Sequence, residues 1–132
     1  MSGVRNWVRP ESEFRVPYDG GFRIASTPTV PVSDLDKHEL NAARRERTRA
    51  IRDLQRKLYA DDRFAVLFVF QAMDAGGKDS TIRSVFTGVN PAGFQVSSFK
   101  APSDEERDHD FLWRIHGKVP ERGEVAALLA RW

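Results

Sequence analysis

The chain of 132 residues fits one domain, at the small end of the range for an α/β enzyme. Its hydrophobic content of 40% and aromatic content of 11% exclude wholesale disorder, and its formal charge of +2 indicates no particular partner, nucleic acid and membranes included. The lack of cysteine excludes disulfides and thiolate metal sites and fits the cytoplasm, and no apolar run is long enough for a signal peptide or a membrane span.

The N-terminal part is predicted to be an arm followed by a long helix. Four prolines and Gly20-Gly21 prevent a long helix in residues 1–32, so we expect an extended arm there and a domain over residues 33–132. Ser33 offers an N-cap for a helix that runs to about Tyr59. Apolar residues recur at helical spacing on one face: Leu40, Ala43, Ile51, Leu54 and Leu58. Other faces carry Arg44, Arg45, Arg49, Arg52 and Arg56, a pattern that favours a solvated surface over an anion site.

The rest of the chain alternates strand and helix signals. Residues 64–70 form an unbroken apolar run, typical of a central parallel strand buried on both faces. A helix is predicted for residues 80–89, a turn for 90–93, a second strand for 94–99 and a capped helix for about 104–116. Residues 124–132 begin like a third strand or a helix. This order predicts a three-layer α/β/α sandwich with a parallel sheet, whose ligands bind at the carboxyl ends of the strands.

The segment after the first strand, residues 71–81, has the composition of a phosphate-binding loop. Gly76 and Gly77 allow successive N–H groups to point inward at an anion, and the following helix adds free N–H groups and the positive end of its dipole. Lys78 can reach over a bound phosphate chain. The usual P-loop pattern has glycine where Ala72 stands and serine or threonine where Asp79 stands. The alternative interpretation is a glycine-rich turn with an incidental lysine.

Asp74 is the unusual residue of this loop. A carboxylate beside a phosphate site is repulsive unless a cation lies between them, and Mg²⁺ bridges carboxylate and phosphoryl oxygens. Asp74 would then be a metal ligand. The alternative is a turn residue whose carboxylate accepts hydrogen bonds from neighbouring N–H groups.

Several linked motifs resemble the polyphosphate kinase 2 family. The resemblance covers roughly residues 31–124, and its motifs are residues 54–58, 74–82, 88–91, 98–103 and 108–116. It implies a P-loop kinase-like fold and phosphoryl transfer between inorganic polyphosphate and nucleoside mono- or diphosphates of the ADP/ATP type, with Mg²⁺. It also implies self-association into a homo-oligomer.

The resemblance also assigns roles by position. Asp74 and Lys78 would be catalytic, Asp74 organising the metal and Lys78 neutralising the transferred phosphoryl group. Lys100 and Arg114 match basic positions that could face the polyphosphate, although each could equally be a surface charge or form a local ion pair. The other loop residues would bind phosphate or nucleotide: Ala75, Gly76, Gly77, Asp79, Ser80 and Thr81. The family usually has alanine at the position of Gly76 and glycine at that of Ser80.

Family members continue beyond the region of resemblance, through a second acidic group near the metal and a lid rich in arginine and lysine. We therefore expect this chain to be an incomplete, truncated P-loop kinase-like domain. Two alternatives to the family activity stay open. One is a different P-loop kinase acting on a small molecule, and the other is a catalytically inactive fragment that binds nucleotide or polyphosphate. Asp108, His109 and Asp110 are adjacent on the predicted helix and point in different directions, so we expect no metal site there.

Overall fold

The computed structural model describes residues 11–32, 34–73 and 75–130, and the chain divides into two compact units, residues 1–36 and 37–132. Within the described part of the first unit, the one regular element is a short 3-10 turn, Ile24–Ser26. The Asp19 carboxylate accepts a hydrogen bond from the Gly21 N–H at 2.8 Å, which closes a local turn. The predicted N-cap Ser33 lies outside the described residues, and the long helix begins at Lys37 instead of directly after position 33.

The second unit contains four helices and a three-stranded sheet among its described residues. The helices are α1 (Lys37–Asp61), α2 (Lys78–Phe86), α3 (Asp104–Asp108) and α4 (Trp113–His116), and a 3-10 turn spans Pro91–Gly93. The strands are β1 (Val66–Gln71), β2 (Phe94–Ser98) and β3 (Val125–Ala130). All pairings are parallel, in the order β1-β3-β2, with Val125 in register with Val66 and with Phe94. The predicted α/β fold with a parallel sheet is confirmed.

The core centres on β3. Its residues 125–129 are at most 6% exposed, and Ala127 and Leu129 pack with Ile82 of α2. Phe86 of α2 extends this cluster, because its ring stacks on Phe94 with centroids 4.5 Å apart. Of the two structures expected for this segment, the strand is the one that forms.

The prediction that residues 64–70 form a strand buried on both faces is wrong in its burial. β1 has β3 as its one strand partner among the described residues and lies at the edge of the sheet. Leu67, Phe68 and Val69 are 42%, 40% and 61% exposed. An apolar sequence indicates that a strand tends to be buried. Whether that strand lies at the centre or at the edge of the sheet depends on how many other strands pair with it. Here β3 occupies the centre.

The predicted apolar face of the long helix is wrong in part, since Ile51 and Leu58 are half-buried but the other predicted positions are exposed. In α1, Leu40 and Leu54 are exposed, whereas Thr48 and Gln55 are 8% and 4% exposed. The reason is the close approach of α1 to Gly93, where an added Cβ would lie 2.3 Å from the Gln55 amide nitrogen. The Gln55 side chain is buried because it packs against Gly93, although it is polar.

The helix expected over residues 104–116 is broken into α3 and α4. The predicted capping box is present, since the Glu106 N–H donates to the Ser103 hydroxyl at 3.2 Å and the Ser103 N–H to the Glu106 carboxylate at 2.7 Å. The break follows His109, whose backbone is extended, and the Asp110 carboxylate accepts the Leu112 N–H at 2.8 Å. None of the helices in the described part of the chain is long and apolar enough to cross a membrane.

Candidate functional site

The loop between β1 and α2 lies at the carboxyl end of β1, where the sequence predicts phosphate binding. Gly77 is the N-cap of α2, with a left-handed backbone (φ 74°) that favours glycine and no capping side chain. The first-turn amides of Lys78, Asp79 and Ser80 donate to no acceptor within residues 75–130. Free N–H groups at the start of a nine-residue helix present a positive partial charge to an anion.

Lys78 is the first residue of α2 and is only 6% exposed. It makes no ion pair or side-chain hydrogen bond with the other described residues. An ammonium with no carboxylate partner among these residues favours an anion beside it. Lys78 therefore lies beside the free amides as an available positive charge.

The loop turns very tightly before Gly77. Ala75 adopts a left-handed conformation (φ 63°), and the Gly76 N–H donates to the Met73 carbonyl at 3.1 Å. A Cβ at position 76 would lie 2.8 Å from the Ala72 Cβ and 3.0 Å from the Met73 oxygen. The glycine at position 76 is therefore matched to the alanine that stands at position 72.

The two hydroxyls predicted to contact phosphate are both engaged locally. The Ser80 hydroxyl donates to the Gly77 carbonyl at 2.7 Å, and the Thr81 hydroxyl donates to the same oxygen at 2.9 Å. In this arrangement their oxygens can accept a hydrogen bond or bind a cation. Donation to a phosphate oxygen would require the hydroxyl hydrogen to rotate away from Gly77.

Asp74, the predicted metal ligand, lies outside the described residues. Asp79 is an exposed carboxylate in the first turn of α2. Residues 11–32, 34–73 and 75–130 contain no group of three acidic or histidine side chains that could hold a metal ion by themselves.

Lys100 is at the same end of the sheet as the loop. It follows β2 by two residues, and Ser98 of β2 is in register with Leu129 just as Gln71 of β1 is with Ala130. The strand between them places β1 and β2 about 10 Å apart, from two spacings of about 4.8 Å. Lys100 is exposed, so its side chain has room to extend toward a ligand at the loop.

Arg114 has local partners that account for its position. Its Nη2 donates to the Lys100 carbonyl at 3.0 Å, and its guanidinium lies 4.9 Å from the centre of the Phe99 ring. Its Nε is 3.3 Å from a Glu106 oxygen, although this ion pair lacks hydrogen-bond geometry. These contacts fix α4 against the segment after β2, so a structural role is already present at this position.

The cluster of Asp108, His109 and Asp110 is also occupied by local contacts. The His109 Nδ1 lies 2.8 Å from the Glu105 carbonyl, and its ring stacks on Trp113 at 4.1 Å. Asp110 caps the turn before α4. These contacts hold His109 and Asp110 in place within their own segment.

The structure also assembles a charged cavity that the sequence did not predict. Packing of α1 against α2 brings Arg83 next to arginines of α1 around a cavity of about 380 Å³. No signal in the sequence places these two helices side by side, and the basic residues of α1 alone favour a solvated surface.

Comparison with known proteins identifies the family of the chain. Residues 34–132 match the family model described as polyphosphate kinase 2. An ADP-polyphosphate phosphotransferase of Rhodopseudomonas palustris is 56% identical over 88 residues, which cover 67% of this chain and 29% of that protein. An AMP/ADP-polyphosphate phosphotransferase of Meiothermus ruber is 44% identical over 115 residues, which cover 86% of this chain and 43% of that protein.

The fold comparison agrees. The crystal structure of polyphosphate kinase 2 from Arthrobacter aurescens TC1 superimposes with a TM-score of 0.78 and 35% sequence identity, covering 89% of this chain and 45% of that one. The chain thus spans less than half the length of each of these relatives. The linked motifs, the parallel sheet and the loop before α2 all agree with one assignment: the chain belongs to the polyphosphate kinase 2 family.

Proposed function

We propose that the protein transfers a phosphoryl group between inorganic polyphosphate and a nucleoside mono- or diphosphate, with the loop of residues 72–81 as its phosphate-binding element. The observation that carries this proposal is Lys78, a residue only 6% exposed whose ammonium forms no ion pair with the other described residues. It begins a helix whose first-turn amides donate to no acceptor within residues 75–130. Three of the relatives are named as phosphotransferases that act on polyphosphate and AMP or ADP.

Phosphoryl transfer of this kind requires positive charges placed around the transferred group and does not require a nucleophile from the protein. A terminal phosphate oxygen of ADP attacks the end phosphorus of polyphosphate, a new P–O bond forms, and the bond to the bridging oxygen breaks. The shortened polyphosphate leaves with the electron pair, and ATP is the product. Lys78 and the amides of Asp79 and Ser80 would stabilise the negative charge on the transferred group and hold it in line.

A divalent cation fits this site by the chemistry of its donors. Kinases of this kind generally need a divalent metal, and we take it to be Mg²⁺, which binds one or two carboxylates together with substrate phosphate oxygens. A site of that kind needs no cluster of three acidic residues, and the described residues contain none. Asp74 would supply the carboxylate, and the cation would neutralise phosphate charge.

Two basic residues complete the proposal. Lys100 extends from the same end of the sheet and would contact the polyphosphate. Arg114 would hold the Lys100 segment in place through its bond to the Lys100 carbonyl. We place the protein in the cytoplasm, where nucleotides and polyphosphate meet, and expect copies to self-associate through the exposed apolar residues of β1.

The test is ATP formation from ADP, polyphosphate and Mg²⁺ by the chain itself. Lys78→Ala should lower turnover by about 100-fold or more, the effect of removing one donor that stabilises transition-state charge. The matched control is Lys57→Ala, which removes an exposed lysine of α1 that lines a separate cavity with Arg56. Equal turnover in both variants would contradict the role of Lys78.

Absence of turnover in the unmodified chain would contradict the enzymatic proposal for this polypeptide. Loss of one equivalent of bound tripolyphosphate in Lys78→Ala, compared with the unmodified chain, would then identify the loop as a phosphate-binding element without transfer activity. Turnover with ATP as donor and another small molecule as acceptor, but none with polyphosphate, would favour a different kinase.

A further inference from the structure

The cavity between α1 and α2 concentrates positive charge away from the phosphate loop. Its volume is about 380 Å³, within the range of about 300–1,000 Å³ of small-molecule sites. Five of the eight lining residues are arginines, and the other three carry hydroxyls. The lining residues are Arg44, Arg45, Thr48, Arg49, Arg52, Arg83, Ser84 and Thr87. Among the described residues, no carboxylate and none of residues 72, 73 and 75–77 is part of this lining.

These arginines lack compensating anions. None of the five forms an ion pair within 4 Å in the described part of the chain. With partners that the structure describes, their side chains form one hydrogen bond, from the Arg44 guanidinium to the Ser84 hydroxyl at 3.4 Å. Arginines three or four residues apart on one helix repel each other, so this arrangement favours a bound anion. A guanidinium offers five N–H donors in a planar fork that matches phosphate oxygens.

The walls of the cavity are held by packing. Thr48 is 8% exposed and its hydroxyl lies 3.5 Å from the Ser84 carbonyl across the helix interface. Close by, the Arg52 guanidinium lies 3.3 Å from where a Cβ at Gly88 would be. The two helices are therefore in contact at Thr48 and Ser84, and the five arginines that surround the cavity are exposed to solvent.

We propose that this arginine cavity binds a phosphate oligoanion, a segment of condensed phosphate chain, as a second site separate from the Lys78 loop. Five positive charges call for an anion with several charges, and the planar donors favour phosphoryl oxygens. The same chemistry is carried by the triphosphate of a nucleotide. Within residues 11–32, 34–73 and 75–130, no aromatic or aliphatic side chain lines the cavity to hold a base, which favours the bare phosphate chain. This inference goes beyond the proposed function and holds whether or not the loop transfers phosphoryl groups.

The experiment is calorimetric titration with tripolyphosphate in the background Lys78→Ala, which removes the loop lysine. The cavity variant is Arg49→Gln with Arg52→Gln. The matched control is Arg56→Gln with Lys57→Gln, which removes the same charge from the same helix outside this cavity. The background chain should bind one equivalent of tripolyphosphate. The two cavity substitutions should raise its Kd about tenfold or more, and the two control substitutions less than about threefold.

Equal weakening by the two pairs, or no binding in the background chain, would overturn the proposal. Titrations with ATP and with a single-stranded oligothymidylate identify the source of the phosphate. Tighter binding of tripolyphosphate supports the bare chain, whereas about tenfold tighter binding of ATP or of the oligonucleotide would overturn it.

A second measurement uses the unmodified protein and is independent of the folding of any variant. Phenylglyoxal modifies arginine, and the modified positions are located by mass spectrometry. Tripolyphosphate should protect Arg49 and Arg52 and leave Arg56 reactive. Equal protection at all three positions, or none at any, would contradict a site at this cavity.

Discussion

Replacing Gly76 with alanine tests the geometry of the candidate phosphate loop most sharply, because the loop leaves almost no room for a side chain at this position. The new Cβ would lie 2.8 Å from the Ala72 Cβ and 3.0 Å from the Met73 carbonyl oxygen. Gly76 is not among the residues with positive φ, so its backbone conformation alone accommodates alanine. The expected loss of stability is therefore caused by steric overlap.

The magnitude follows from these distances. Carbon atoms pack best about 3.5–4.0 Å apart, so a contact of 2.8 Å forces the loop to move. Overpacking of this kind lowers the free energy of unfolding by about 1–3 kcal/mol. Alanine also makes the unfolded chain less flexible than glycine does, which raises the free energy of unfolding by about 0.4–1 kcal/mol. We expect Gly76→Ala to lower the free energy of unfolding by about 1–2 kcal/mol.

Adding Ala72→Gly removes the closer of the two contacts and should restore part of the loss. Urea unfolding of the two single variants and the double variant gives the coupling energy, expected at about 0.5–2 kcal/mol in favour of the pair. Gly117→Ala is the control, since nothing lies within 4 Å of a Cβ at that position. The steric account fails if Gly76→Ala is as stable as the control, or if the two loop changes are simply additive.

Three further outcomes follow from the structure. Gly93→Ala should destabilise the fold by about 1–3 kcal/mol in urea unfolding, because its Cβ would meet Gln55 at 2.3 Å, and unchanged stability would contradict this contact. Glu106→Ala removes half of the capping box and the ion pair with Arg114, so the melting temperature should fall by an amount that matches about 0.5–2 kcal/mol, whereas a rise would contradict it. Val69→Lys places a charge on the exposed face of β1 and should raise the fraction of monomer in size-exclusion chromatography with light scattering; an unchanged fraction would exclude this surface from self-association.

The loop was predictable because its chemistry is local. Gly77 needs the left-handed backbone, and Lys78 follows it at the helix start, so adjacent residues are enough to indicate an anion site. The capping box at Ser103 and Glu106 was predictable for the same reason, since both partners lie within one helical turn.

Burial was less predictable because it depends on partners distant in sequence. The apolar runs of β1 and β3 look alike, yet β3 is central and β1 lies at an edge. Gln55 is buried because Gly93 lets α1 approach closely. The arginine cavity exists only because α2 packs beside α1, and neither helix indicates that contact by its own periodicity.

The central claim is that the phosphoryl group comes from polyphosphate and that Lys78 takes part in its transfer. The most direct measurement follows the phosphorus NMR spectrum of the chain with ADP, Mg²⁺ and polyphosphate, beside the same mixture with Lys78→Ala. We predict that ATP signals grow as polyphosphate signals fall in the unmodified chain, and that neither changes measurably in the variant. ATP formation without loss of polyphosphate, or at equal rates in both chains, would contradict the account.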